Sequence, residues 1–197
     1  MPVLTQPPAF RVVLAHGAAG TAVSMRPWVE GLRARGFDAQ AIDLPRRKAE
    51  EAVPAYLAAI TALPRAPRGA RLIIGGHSYG GRVASLLAAE SGTADGGRPT
   101  GGLPDLAGLV CLSYPLHRPG APEAGLRTEH WPRIAVPTLI LEGEADPFAR
   151  LPLLRAAMPS LPNGRLVTFP GQRHGLLPVR DAALDAIIGW LAEVGRA

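Results

Sequence analysis

Leu72-Ile73-Ile74-Gly75-Gly76-His77-Ser78-Tyr79-Gly80-Gly81-Arg82-Val83-Ala84-Ser85-Leu86-Leu87-Ala88-Ala89 passes from a short apolar run, through a serine flanked by glycines, into a run with helical character. Its centre, Gly76-His77-Ser78-Tyr79-Gly80, reads Gly-x-Ser-x-Gly. A serine used as a nucleophile must be pushed out of a tight strand-to-helix turn. Flanking glycines let the backbone bend there, and the helix that follows aims its first N–H groups at developing negative charge. The pentapeptide alone is a weak signal, so its surroundings decide.

Outward from this point, apolar runs alternate with amphipathic ones, the pattern of a parallel sheet covered by helices on both faces. Strands are expected at Phe10–Ala15, Asp38–Ile42, Arg71–Ile74, Gly108–Ser113, Thr138–Glu142 and Arg165–Phe169. Met25, Trp28, Val29 and Leu32 share one helical face, as do Val53, Leu57 and Ile60, and as do Leu184, Ile187, Ile188 and Leu191. These stripes read as core packing. The glycine-rich stretch Ser91–Gly102 reads as a surface loop, too short to divide the chain. One α/β domain over residues 1–197 is expected.

In open parallel sheets, reacting groups gather just beyond the carboxyl ends of the strands. The fifth expected strand leads into Gly143-Glu144-Ala145-Asp146-Pro147-Phe148, and the sixth into Pro170-Gly171-Gln172-Arg173-His174-Gly175. A serine hydroxyl needs a base during attack, and an imidazole titrates near neutral pH, so His174 is the candidate base. Asp146 is the candidate acid that fixes its tautomer, with Glu142 and Glu144 as stand-ins. After the first strand, His16-Gly17-Ala18-Ala19-Gly20 offers small residues whose N–H groups can approach a substrate. The backbone N–H groups of Ala18 and Tyr79 are the candidate oxyanion donors, and His16 is expected to anchor the loop. Gly17, Ala19, Tyr114 and Leu116 are expected to bind substrate.

Several classes of function are set aside. The net charge is +5, but the arginines are scattered, Arg46-Arg47-Lys48 is the one basic triplet, and aromatics number only 3 Trp, 3 Tyr and 4 Phe, so nucleic acid is not expected as a partner. No run approaches the roughly 20 apolar residues of a membrane span, and no signal-peptide pattern opens the chain, so a cytoplasmic protein without a membrane partner is expected. The single Cys111 lies in an apolar run and reads as a core residue. His16, His77, His117, His130 and His174 form no close ligand pair. Neither a phosphate-binding nor a dinucleotide glycine pattern is present. No metal and no cofactor are expected.

On these motifs the chain resembles the α/β-hydrolase superfamily over nearly its whole length, in which Ser78, Asp146 and His174 follow the family's order of nucleophile, acid and base. The stretch Leu112-Ser113-Tyr114-Pro115-Leu116-His117-Arg118-Pro119-Gly120, followed by Asp146-Pro147-Phe148, is similar to a group of small dienelactone-hydrolase-like proteins. Eukaryotic members of that group include a testis-expressed protein and a subunit of a histone acetyltransferase complex. The resemblance implies a minimal six-stranded sheet, because no room precedes residue 10 for two opening strands. It also implies the absence of a cap domain, because only about twenty residues separate the fourth and fifth strands. With its missing cap, the resemblance implies Tyr114–Trp131 as the main pocket wall, with Tyr114 nearest Ser78. Dienelactone hydrolases proper use cysteine where this chain has Ser78, so their substrate does not carry over. The implied activity is hydrolysis of small carboxylic esters or thioesters through an acyl-enzyme, by a monomer or homodimer. Amidase, lactonase and perhydrolase chemistry use the same machinery, and a non-catalytic interaction module is the alternative.

Overall fold

Alternate side chains of the first strand enter different cores. In β1 (Phe10–Ala15), Val13 and Ala15 pack on one side of the sheet while Phe10, Val12 and Leu14 pack on the other, as a period of two requires. The computed structural model describes residues 10–91, 93–94, 98–99, 103 and 106–196. It continues through α1 (Arg26–Arg33), β2 (Asp38–Ile42), α2 (Ala49–Thr61), β3 (Arg71–His77), α3 (Tyr79–Glu90), β4 (Leu106–Leu112), β5 (Thr138–Gly143), α4 (Leu151–Ala157), β6 (Gly164–Phe169) and α5 (Arg180–Val194). The six strands form one sheet in the order β2-β1-β3-β4-β5-β6, and every neighbouring pair is parallel.

Parallel neighbours need crossovers, and here helices supply them on both faces. Trp28, Val29 and Leu32 of α1 join Leu184, Ile187 and Leu191 of α5 on one face. Val53 and Tyr56 of α2, Val83 and Leu87 of α3, and Leu154 of α4 cover the other. Cys111 is buried in this second core, as its apolar run implied, and burial pushes its thiol pKa well up.

The expected strands are all present, with small differences at their ends. β3 runs on through Gly75, Gly76 and His77, because glycines are no obstacle where helix α3 must approach closely. A Cβ on Gly80 would lie 2.4 Å from the Ala15 carbonyl oxygen, so only glycine lets the start of α3 sit against the end of β1. β4 begins at Leu106 and stops at Leu112, since Ser113 turns out of the strand with φ 52°. Helix α4 had no counterpart in the sequence reading. Its apolar spacing is cut short by Pro152 and Pro159, and only Leu154 is fully buried. The stretch expected as a loop, Ser91–Gly102, lies largely outside the described residues; within it Thr93–Ala94 pairs antiparallel with Arg98–Pro99. Between β4 and β5 the chain makes only two short 3-10 turns, Pro122–Ala124 and Trp131–Arg133, and there is no cap domain. No helix among the described residues is long and apolar enough to cross a membrane.

Candidate active site

Ser78 stands between the last residue of β3 and the first of α3 with φ 50° and ψ −112°, a conformation that costs a non-glycine residue on the order of 1–3 kcal/mol. The turn is held from both sides: Ser78 N–H donates to the Leu112 carbonyl at 2.8 Å, and its own carbonyl accepts from Arg82 N–H at 3.0 Å. The hydroxyl is thereby presented to a partly open surface, where His174 Nε2 lies 2.7 Å from Ser78 Oγ. His174 Nδ1 lies 2.6 Å from Asp146 Oδ2. With the Nδ1 proton donated to the carboxylate, Nε2 is left as the acceptor for the serine proton. Phe148 packs against the His174 ring at 4.2 Å and His77 at 5.3 Å, so the imidazole is held by faces as well as by hydrogen bonds.

Of the three carboxylates weighed for the acid, only Asp146 reaches the histidine. Glu144 is exposed and accepts from Thr168 Oγ1 at 2.8 Å. Asp146 is 3 % exposed. Burial alone would raise its pKa, but hydrogen bonds from His174, Glu142 and the Phe148 N–H, the last at 2.7 Å, outweigh that and hold it below its ordinary value. Glu142 has another part. It is fully buried, its Oε1 accepts from Gly143 N–H at 3.2 Å, and burial first, then the Asp146 carboxylate, push its pKa well above the ordinary 4.5. Glu142 is therefore held toward its neutral, protonated form beside Asp146.

That assignment has a signed consequence for stability. The folded chain keeps the Glu142 proton while the unfolded chain releases it above pH 4.5, so folding loses stability as pH rises from there toward the folded-state pKa. Glu142→Gln cannot titrate and reproduces the neutral acid's donor and acceptor. It is expected to melt at a higher temperature than wild type at pH 8, with the gap growing by about 1.4 kcal/mol per pH unit across the titration window and closing as pH falls to 4.5. Thermal denaturation across that range measures it, and a gap independent of pH would refute a neutral Glu142.

The loop after β1 lies against the elbow. A Cβ on Gly17 would meet His77 Nδ1 at 2.7 Å and Ser78 Cβ at 3.7 Å, which sets this glycine beside Ser78. Ala18 and Ala19 are exposed at its tip, and among the described residues no protein acceptor takes the N–H of Ala18 or of Tyr79. His16 anchors the loop: its Nδ1 is 2.7 Å from the Gly17 carbonyl, and its Nε2 accepts the Leu44 N–H at 3.0 Å. His77 is held neutral, its pKa lowered to about 4 by burial and then by the positive charge His174 can carry.

Tyr114 and Leu116 are corrections to the expected pocket wall. Both have zero exposure and belong to the core beneath the site. The chain leaving β4 turns inward, and Tyr114 packs edge-on to Trp131 at 5.3 Å while its hydroxyl donates to the Arg127 carbonyl at 2.7 Å. Its work is to hold the 127 segment in place. His117, unassigned in the sequence, is a second anchor: its Nδ1 is 2.8 Å from the Arg118 carbonyl, and its Nε2 accepts Arg150 N–H at 3.0 Å, tying the segment after β4 to the acid loop. His130 Nε2 lies 2.8 Å from Ser85 Oγ and docks the same segment on α3. Ser113, with positive φ and a buried hydroxyl that has no hydrogen-bond partner among the described residues, is a further strained residue at a strand end. The described residues contain no group of three or more His, Cys, Asp or Glu side chains able to hold a metal ion.

A family model described as an alpha/beta hydrolase domain matches residues 8–186 of this chain. Among solved structures, the chain is similar to a monoacylglycerol lipase from Paleococcus ferrophilus, with a TM-score of 0.73 and 18% identity over 93% of this chain and 94% of that one. It is also similar to Est1E from Butyrivibrio proteoclasticus, solved with ferulic acid bound, with a TM-score of 0.76 and 16% identity over 100% of this chain and 94% of that one. At such identities the likeness is one of fold. A curated relative, the non-heme chloroperoxidase of Burkholderia pyrrocinia, is 44% identical over 63 residues, which span 30% of this chain and only 22% of that protein.

Proposed function

Since the chain belongs to the alpha/beta hydrolase domain family, we propose that it is a serine hydrolase, cleaving carboxylic esters or thioesters of small acyl groups through an acyl-enzyme. The observation that carries this reading is the continuous hydrogen-bonded line from Ser78 Oγ through His174 to Asp146, at a strained and partly exposed elbow. In the first half-reaction Ser78 Oγ attacks the carbonyl carbon as its proton passes to His174 Nε2. The carbonyl oxygen becomes an oxyanion facing the Ala18 and Tyr79 N–H groups. Collapse breaks the bond to the alcohol or thiol, which leaves with the proton from His174. Water then repeats the sequence and releases the acid, restoring the proton to Ser78. Asp146 stays ionised throughout and stabilises the imidazolium.

Small acyl groups are favoured because the exposed Ala18 and Ala19 and the absent cap leave little apolar wall around the elbow. The likeness of Leu112–Gly120 to dienelactone-hydrolase-like proteins supports placing the chain in that group. The local likeness to a chloroperoxidase favours one variation, in which hydrogen peroxide replaces water in the second half-reaction and a peracid is released. A fluorophosphonate probe tests the central reading. Labelling is expected at Ser78, located by peptide mass spectrometry, together with turnover of p-nitrophenyl acetate and butyrate. Absence of both would leave the non-catalytic interaction module as the better description.

A further inference from the structure

A cleft of about 580 Å³ opens one residue from the nucleophile, and cations dominate its lining. Arg47 and Lys48 come from the connection between β2 and α2, Arg82 from α3, and Arg118 and Arg127 from the segment between β4 and β5. Against these five stand Glu50 and Glu129. Glu50 is already engaged by Arg82, whereas Arg47, Lys48, Arg118 and Arg127 have no ion pair among the described residues. The Arg127 guanidinium is held below its ordinary value by burial first and then by the neighbouring charges of Arg82 and Arg118.

The cleft borders the site through Tyr79, and its walls are tied down. Tyr79, whose N–H is the assigned oxyanion donor, has its ring in the cleft wall, with its hydroxyl fixed to the Pro45 carbonyl at 2.9 Å. Arg82 lies one helical turn beyond Ser78 and bonds to its carbonyl. The opposite rim is pinned by the Tyr114 and His130 contacts already described and by Arg127 N–H donating to the Leu116 carbonyl at 2.8 Å. Two of the guanidinium groups are held as well, Arg82 by Glu50 and Arg127 by the Pro115 carbonyl at 3.3 Å, and a guanidinium already in place suits carboxylate or phosphate oxygens because little side-chain order is lost on binding.

We propose that this cleft binds an anionic group, a carboxylate or a phosphate, carried by the ester substrate a few bonds from the bond that is cleaved. The proposal rests on the serine-hydrolase reading for its position at the reacting carbonyl, and it adds the chemistry of the substrate. An anion over Tyr79 would set the carbonyl against Ser78 while its charge draws substrate inward. Because the anion is bound alike before and during reaction, its effect belongs mainly in KM.

Paired substrates test it. Mono-p-nitrophenyl glutarate is compared with its methyl-capped counterpart, which places the charge in the acyl half. Para-carboxyphenyl butyrate is compared with its methyl ester, which places it in the alcohol half. In one of the two pairs the anionic member is expected to have a kcat/KM at least about tenfold higher, the discrimination one charge-assisted pair supplies, carried by KM and reduced as salt is raised. Arg118→Gln and Arg127→Gln should each reduce that ratio several-fold. A ratio below about two in both pairs overturns the proposal. Calorimetry on the Ser78→Ala protein separates it from the reading beneath it. Anionic esters that bind about tenfold more tightly than their capped partners sustain the cleft assignment even where wild-type protein turns over none of them. Equal binding refutes it even if the wild type is an active esterase.

Discussion

Ser78→Ala is expected to lower kcat for p-nitrophenyl butyrate by on the order of 10⁶-fold, the loss seen when a serine nucleophile acting as one unit with its base is removed. The hydroxyl has no substitute nearby: the Ser113 hydroxyl is fully buried, and Cys111 is buried with its thiol pKa pushed well up. What survives is the rate that oxyanion donors and binding alone sustain, on the order of 10³-fold over water. Folding is expected to be untouched, because alanine meets the same positive φ that serine already tolerates and the main-chain bonds to Leu112 and Arg82 remain. The measurements are ester turnover and melting temperature on the same preparation. Turnover within about tenfold of wild type would remove Ser78 from the chemistry.

The parts of the site legible in the sequence are those fixed by position along the sheet. Six apolar runs predict six strands, and loops just beyond the carboxyl ends of parallel strands must share one edge of the sheet, so Ser78, Asp146 and His174 could be placed together from order alone. The parts that were not legible depend on which side of a closed surface a residue falls. Tyr114-Pro115-Leu116 has the same composition whether it lines a pocket or fills a core, and only the inward turn after β4 decides between them. His117 and His130 find partners 33 and 45 positions away, beyond any local pattern. Glu142 illustrates both cases. Strand alternation puts it on the face of Ile140, opposite Leu139 and Leu141. That this face is sealed there, pushing the Glu142 pKa up beside Asp146, required the packing of the segment after β4. The cationic cleft was hidden for the same reason, since its five charges come from two connections and a helix and read along the chain as one basic triplet and scattered arginines.

Asp146→Asn is expected to lower kcat by about 10,000-fold while leaving the fold intact, and the hydrogen bonds around it say why. Asp146 Oδ1 accepts the Phe148 N–H at 2.7 Å, so an asparagine keeps its oxygen there and turns its amide nitrogen toward His174. A donor in that position obliges His174 Nδ1 to be the acceptor, which moves the ring proton to Nε2. Nε2 then presents an N–H to Ser78 Oγ across the 2.7 Å contact, and the base can no longer accept the serine proton. The imidazolium formed in the transition state also loses its buried counter-charge, and Glu142, held toward its protonated form, is a poor replacement for it. The same swap is mild for the fold, because Asn fills the same volume and retains the Phe148 bond. Steady-state kinetics beside thermal denaturation measures both halves of the expectation. Near wild-type turnover would transfer the acid's role to Glu144 or Glu142, and a collapsed melting temperature would make Asp146 first a structural residue.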